Sequence, residues 1–311
     1  MIISSAPCRV SLFGGGTDVE PFASIYGGGV LSFAISIYHR VTLEESSKNY
    51  IYAMGEKMTK NSKFDLVRMI LSQYESKKIR LIDEFEGFQS AGLGSSACAA
   101  VSLIGALNRL HKVNQTKDEI AYKAYQTEIG LGWSSGMQDQ FASAIGGMNV
   151  ISFGQNITHV AIPKYVAESL YPYLLLCRTC KTRISSKIQD SLIKRIKSGQ
   201  NIKELLEMKS YVVKASSLLT ERKYKELGQL LDISFFLKKQ TNPLVTNEHI
   251  DNVYETAMEN GAWGGKILGA GGEGHIIFIA PPQTHDRIVK KTKLKKVDFQ
   301  LDFNGLMVKE I

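Results

Sequence analysis

The chain is predicted to be an α+β protein, and three observations carry that prediction. Its segments run as strands, then helices, then strands with a single crossover helix, rather than in the regular strand–helix alternation of a doubly wound sheet. At 311 residues and 44% hydrophobic, it can bury one large core or two intimately joined ones. Two dinucleotide-like patterns, Gly92-x-Gly94-x-x-Ala97 and Gly269-x-Gly271-x-x-Gly274, stand in the wrong context. The first follows a polar stretch, and the second runs into the strand His275-Ile276-Ile277-Phe278-Ile279, which disfavours a nicotinamide enzyme. A Walker loop is absent from the sequence.

The elements follow in order. Residues 2–12 read as a strand ending in the sharp turn Phe13-Gly14-Gly15-Gly16-Thr17-Asp18. The run 30–41, after Gly27-Gly28-Gly29, is too long and too β-branched for a loop. Residues 62–76 have the spacing of an amphipathic helix, and 78–85 read as a strand. Ala97, Val101, Ile104 and Leu107 recur at helical spacing and predict a helix over 95–110. Thr116-x-x-Glu119 is a capping box that opens a helix to about 129. A helix over 136–145 ends at Gly146-Gly147, where a C-cap belongs, and 148–153 with 157–162 form a hairpin. Residues 173–178 are a strand, and 185–237 are charged and helical, with breaks expected near Ser198-Gly199 and at Gly228. A helix over 246–259 precedes strands over 263–268, 275–280, 297–303 and 306–309, with a lysine-rich helix from about 284. A seam near 162–171 divides the chain into expected lobes 1–165 and 166–311.

Composition narrows the function. No run of 18 apolar residues exists, and the start lacks a basic-plus-apolar signal, so a cytoplasmic protein without membrane contact is expected. Four cysteines do not make a disulfide framework in a chain this long. Cys177-x-x-Cys180 has redox or zinc spacing but no second pair, and the alternative is a buried strand whose end carries two thiols. The net charge of +8 suits polyanionic ligands, while no nucleic-acid motif or aromatic stacking pattern accompanies it.

Five stretches are candidates to carry the chemistry. In Gln89-Ser90-Ala91-Gly92-Leu93-Gly94-Ser95-Ser96-Ala97, glycines let the backbone approach a ligand, and the following helix aims free N–H groups and its dipole at the loop. That is a phosphate-binding arrangement. Arg9 and Asp18 stand at opposite ends of the first glycine turn; Asp18 suits two sugar hydroxyls, or else caps residues 19–25. Asp139, in the first turns of a small, apolar helix, is a cap or a catalytic group. Glu128 closes the preceding helix, where the dipole disfavours an acid. It therefore points to a cation such as Mg²⁺, or else faces solvent. Six glycines within residues 264–274 imply backbone packed against another loop or a ligand.

Together, Ala6-Pro7-x-Arg9-Val10, Gly16-Thr17-Asp18, Gly92-Leu93-Gly94-Ser95-Ser96-Ala97, Asp139-Gln140-Phe141 and Lys266-x-x-Gly269-Ala270-Gly271-Gly272 resemble, in order, the motifs of the GHMP kinase superfamily. The resemblance runs from residue 5 to 309 and implies the two-lobed GHMP kinase fold, with an N-terminal ribosomal-protein-S5-like lobe and a C-terminal ferredoxin-like lobe. Phe13-Gly14-Gly15-Gly16-Thr17-Asp18, Gln138-Asp139-Gln140 and Thr179-x-x-Thr182-Arg183 are similar to the sugar-kinase branch that acts on D-glycero-D-manno-heptose 7-phosphate.

What this resemblance implies is ATP-dependent phosphorylation of an anomeric hydroxyl, giving a 1,7-bisphosphate for nucleotide-activated heptose. Ala91, Gly92, Leu93, Gly94, Ser95, Ser96 and Ala97 would cradle ATP, and Ser96 and Glu128 would hold Mg²⁺. Asp139 would accept or orient the reacting hydroxyl with Arg9 beside it; Gly16, Thr17, Asp18 and Arg183 would hold the sugar phosphate. Arg183 leads Lys181 and Lys187 for the phosphate because a guanidinium grips it bidentately. Glu273 and Cys180 stand where glycines are usual, which weakens the substrate assignment more than the reaction. Kinases of other sugars, kinases of isoprenoid precursors and a non-catalytic sugar or nucleotide sensor are the alternatives; Gly16-Thr17-Asp18 disfavours the isoprenoid kinases. No nucleic-acid partner is expected, and a monomer or homodimer is.

Overall fold

The structure is a computed structural model that describes residues 1–59, 64–88, 92–179 and 185–311. Ala91, Cys180, Lys181 and Arg183 therefore lie outside the described residues. In chain order, β1 (Ile2–Phe13) leads through the glycine turn and α1 (Phe22–Tyr26) to the long β2 (Gly28–Glu45). Then come β3 (Tyr50–Ala53), β4 (Glu56–Lys57), α2 (Asp65–Leu71), β5 (Ile79–Phe85), α3 (Ser95–Leu110), α4 (Lys117–Gly130), α5 (Gln138–Ile145), β6 (Met148–Phe153) and β7 (Thr158–Ala161). The second half holds α6 (Lys164–Leu170), β8 (Leu174–Arg178), α7 (Ser185–Lys197), α8 (Ile202–Thr220), α9 (Tyr224–Thr241) and α10 (Glu248–Glu259). It ends with β9 (Gly264–Ile267), β10 (His275–Ile279), α11 (His285–Thr292), β11 (Lys295–Lys296) and β12 (Met307–Glu310).

These strands form two sheets, giving the expected α+β class. The larger runs β12-β1-β2-β5-β3-β4, with β6 and β7 joined at β2; the smaller runs β11-β8-β10-β9. Helix α3 packs its buried Ala97, Ala100, Val101, Ile104 and Leu107 against β1 and β2, so small residues bring its start close to the sheet. The proposed lobes 1–165 and 166–311 are stitched by the chain's end, because β12 pairs with β1 from Ile2↔Glu310 to Ser5↔Met307. No helix among the described residues is long and apolar enough to cross a membrane.

Three local expectations need correction. The described helix between 64 and 76 stops at Leu71, with Ser72 as its C-cap. Residues 297–303 are not a strand: Val297 N donates to Leu176 O at the smaller sheet, and Asp302 N donates to Ala34 O at the larger. A segment that changes sheets cannot keep one ladder; Leu301 makes only an isolated bridge to Ile35.

The break expected at Gly228 falls instead at Glu221–Lys223, where Arg222 turns with φ +57°. Gly228 lies inside α9, where its missing side chain admits β9: a Cβ there would stand 2.6 Å from Trp263 Cβ. Gly228→Ala should therefore lower stability by about 1–3 kcal/mol through overpacking, although alanine is the better helix former. A thermal melt checks this; an unchanged or raised midpoint would refute the packing role.

Candidate active site

The glycine turns converge on one cleft of about 650 Å³. Thr17 braces the first turn from behind: its hydroxyl donates within reach of Gly14 O and Gly29 O and accepts from Gly29 N, folding the turn onto the start of β2. Asp18 ties the same turn to α5. Its carboxylate accepts from Gly16 N (3.1 Å), Gln138 N (3.1 Å) and Gln138 Nε2 (2.9 Å). Burial, and then the charge of Asp139, raise the Asp18 pKa. Gly136 permits this approach, since a Cβ there would meet Asp18 Oδ2 at 2.1 Å.

Arg9 and Asp139 form the centre of the cleft. Arg9 Nε donates to Asp139 Oδ1 at 2.7 Å and Nη2 to Oδ2 at 2.5 Å, the fork geometry of a bidentate pair. Arg9 Nη1 also donates to Gly92 O (2.7 Å), and Arg9 N to Leu93 O (3.1 Å), so one residue fastens the phosphate-loop candidate to β1. Both line the cleft, and Asp139, 26% exposed against 4% for Arg9, is the more accessible member.

Gly94 explains why this loop is glycine. It is the N-cap of α3 in the left-handed conformation, φ +77°, and a Cβ would lie 3.2 Å from Asp139 Oδ2. Having no side chain, it leaves the first-turn N–H groups of α3 without a side-chain cap, facing a cleft that Gly94, Ser95 and Ser96 line. The 264–274 glycine segment backs the loop: a Cβ on Gly92 would meet Leu268 O at 2.7 Å. Lys238 in turn holds that segment, donating to Ile267 O and Gly269 O.

Glu128 faces the cleft and not solvent; it is 2% exposed. Burial pushes its carboxyl up to about 7, and the charge of Asp139 adds to this, while the Ser135 and Ser96 hydroxyls and Gln140 offset part of it. Gln140 Nε2 donates to Oε2 at 2.7 Å, whereas Oε1 accepts no hydrogen bond among the described residues. An orphaned carboxylate oxygen beside a serine hydroxyl and an uncapped helix start fits an oxygen-ligated divalent cation.

Arg9, Gly16, Asp18, Gly92, Gly94, Ser95, Ser96, Glu128 and Asp139 thus line one cleft. Thr17, Leu93 and Ala97 do not line it; they are buried behind it, at 0%, 2% and 1% exposure. Glu273 points away, its Oε1 accepting from Asn247 Nδ2, and Lys187 is exposed outside the lining. Cys177 is a buried strand residue whose thiol burial pushes up to about 12, which favours the inert reading of the Cys177-x-x-Cys180 spacing.

Sequence reasoning passed over Lys266, Gln138 and Ser135 as functional groups. Lys266 did leave a signal: it is the only cation in the apolar run that ends at Leu268.

Residues 49–147 match the family model "GHMP kinases N terminal domain", and residues 215–293 match "GHMP kinases C terminal". A curated relative, the D-glycero-alpha-D-manno-heptose 7-phosphate kinase of Campylobacter jejuni, is 27% identical over 97% of this chain and 96% of its own length. The crystal structure of a putative sugar kinase from Campylobacter jejuni has a TM-score of 0.78 at 25% identity, covering 100% of this chain and 98% of its own. That of a D-glycero-D-manno-heptose 1-phosphate kinase from Bacteriodes thetaiotaomicron has a TM-score of 0.81 at 22% identity, covering 100% and 99%, a likeness of fold.

Proposed function

We infer, from the premise that this chain belongs to the GHMP kinase family, that it transfers the γ-phosphoryl group of ATP to the anomeric hydroxyl of D-glycero-D-manno-heptose 7-phosphate. GHMP kinases use ATP as phosphate donor. The observation that carries the reading is the bidentate Arg9–Asp139 pair set against the uncapped start of α3. The likeness to the Campylobacter jejuni heptose 7-phosphate kinase supports the choice of sugar.

Each residue then has a task. The N–H groups at the start of α3, with the Ser95 and Ser96 hydroxyls, bind the phosphate chain of the nucleotide. Glu128 and Ser96 would hold Mg²⁺, which would supply neutralising charge to the nucleotide phosphates. Arg9 orients Asp139, and its charge faces the charge that gathers on the transferred group. Asp139 orients the sugar hydroxyl and takes its proton at a carboxylate oxygen as the new O–P bond forms and the bond to ADP breaks. A loose phosphoryl transition state asks chiefly for this positioning and charge stabilisation.

ADP release with Mg·ATP tests the reading, using D-glycero-D-manno-heptose 7-phosphate beside free heptose, mannose, fucose, galactose and mevalonate. Turnover of the phosphorylated heptose, with phosphorus NMR reporting the 1,7-bisphosphate, is expected. Turnover only of a free sugar keeps the kinase and removes the 7-phosphate assignment; ADP release with none of them sinks the reading.

A further inference from the structure

Beside the Arg9–Asp139 pair, three side chains from three elements converge on Gly15. A Cβ built there would lie 3.1 Å from Ser11 Oγ, 3.6 Å from Gln138 Nε2 and 3.7 Å from Lys266 Nζ. Ser11 belongs to β1, Gln138 opens α5 and Lys266 belongs to β9; they are 4%, 8% and 2% exposed, and all line the cleft.

Their hydrogen bonding is incomplete. Ser11 Oγ and Gln138 Oε1 have no partner among the described residues. Among the described residues, Lys266 Nζ makes one hydrogen bond, to Leu12 O at 3.1 Å, a carbonyl at the register shift between Ser11 and Phe13. Burial lowers the Lys266 pKa to about 7; Arg9 lowers it further and Asp18 opposes. An amine, a hydroxyl and an amide oxygen left short of partners inside a cleft cost free energy unless a ligand completes them.

We propose that Ser11, Gln138 and Lys266 form a hydroxyl-binding subsite over Gly15 that seats neighbouring hydroxyls of the acceptor sugar and sets which sugar is accepted. The inference rests on the kinase reading above and names how its acceptor is chosen. The donor and acceptor balance selects the ligand chemistry. One sugar hydroxyl can accept from Lys266 Nζ and donate to Gln138 Oε1, while its neighbour pairs with Ser11 Oγ. The phosphate dianion that predominates at neutral pH has no proton for Gln138 Oε1 and would stand beside the Asp18 carboxylate, so the subsite takes hydroxyls and the phosphate group lies elsewhere. Gly15 has no side chain at the point where the ring would rest, and its φ is outside the left-handed region. Its glycine identity therefore serves space rather than backbone conformation.

The test reads sugar binding without nucleotide, by calorimetry with D-glycero-D-manno-heptose 7-phosphate, on wild type, Lys266→Met and Gly15→Ala, each checked for folding by thermal melt. Lys266→Met keeps the bulk and removes the charge; Gly15→Ala fills the proposed seat. Each is expected to weaken sugar binding by about 10- to 100-fold, the worth of a hydrogen bond to a charged group, with the Kd for ATP within twofold. Monodeoxy analogues add a readout that general loosening would not move. Wild type should discriminate against loss of one ring hydroxyl, and Lys266→Met should lose that discrimination. Sugar affinity within twofold of wild type in both variants, an equal loss for ATP, or no sugar binding by wild type overturns the subsite. Wild type that binds the sugar phosphate but never releases ADP leaves the subsite standing and removes the kinase reading instead.

Discussion

Asp139→Asn should lower kcat by about 10²- to 10⁴-fold, the range for losing a positioned proton acceptor, with ATP affinity within a few-fold of wild type. The asparagine can still accept from Arg9 Nε, as Oδ1 does now at 2.7 Å, but it cannot carry the charge that holds both donors of the guanidinium. Two losses follow. The acceptor hydroxyl loses the oxygen that orients it and takes its proton, and Arg9, 4% exposed, loses its counter-charge. The second loss also costs stability, on the order of 1–3 kcal/mol, less than for a fully enclosed pair because Asp139 is 26% exposed. Single-turnover kinetics with nucleotide titration separates the effects. A kcat within threefold of wild type would remove Asp139 from the mechanism, whatever the melt shows.

Glu128→Gln should abolish most activity and yet stabilise the free protein above neutral pH. Folded, this carboxyl titrates at about 7, against 4.5 for the ordinary group, chiefly because it is buried. The folded protein thus holds a proton that the unfolded chain releases between those values, and stability falls as pH rises through that window. Below pH 4.5 the group is neutral in both states; above 7 the folded state carries a desolvated charge at the full cost, at most about 3 kcal/mol. Glutamine is free of that cost and keeps the partner of Gln140. The melting midpoint of the variant should exceed that of wild type by several degrees at pH 8 and converge with it toward pH 4.5. Mg·ATP should narrow the gap by stabilising wild type more, while turnover of the variant falls ~10²-fold or more. Equal midpoints at pH 8 would show that Glu128 is not burdened as its burial requires. Undiminished turnover would exclude it from metal binding.

Much of the fold was legible because local rules act over a few residues. Helix α3 was readable from Ala97, Val101, Ile104 and Leu107, and the start of α4 from Thr116 and Glu119, which do form a capping box. Gly228 misled because glycine has two uses: the expected one, a helix break, is local, while the actual one, contact with Trp263, is not. Residues 297–303 misled for a similar reason. Their alternation fits a strand, but their hydrogen bonds go to two different sheets.

The site divides along the same line. From the order of residue types alone, the sequence determined which segments to look to for one cleft: a glycine turn after Arg9, a Gly-Ser loop opening a helix, and Glu128 and Asp139 on the following helices. Only the tertiary structure decided which atoms meet. It joined Arg9 to Asp139 across 130 positions, buried Thr17 behind the turn, left Glu128 Oε1 without a hydrogen-bond partner among the described residues and turned Glu273 toward Asn247. It also brought Lys266 over Gly15 beside Gln138. The physical reason is that glycine flexibility and helix dipoles are properties of a short segment. Burial, charge pairing and unmet hydrogen bonds belong instead to a place in space, to which distant segments contribute.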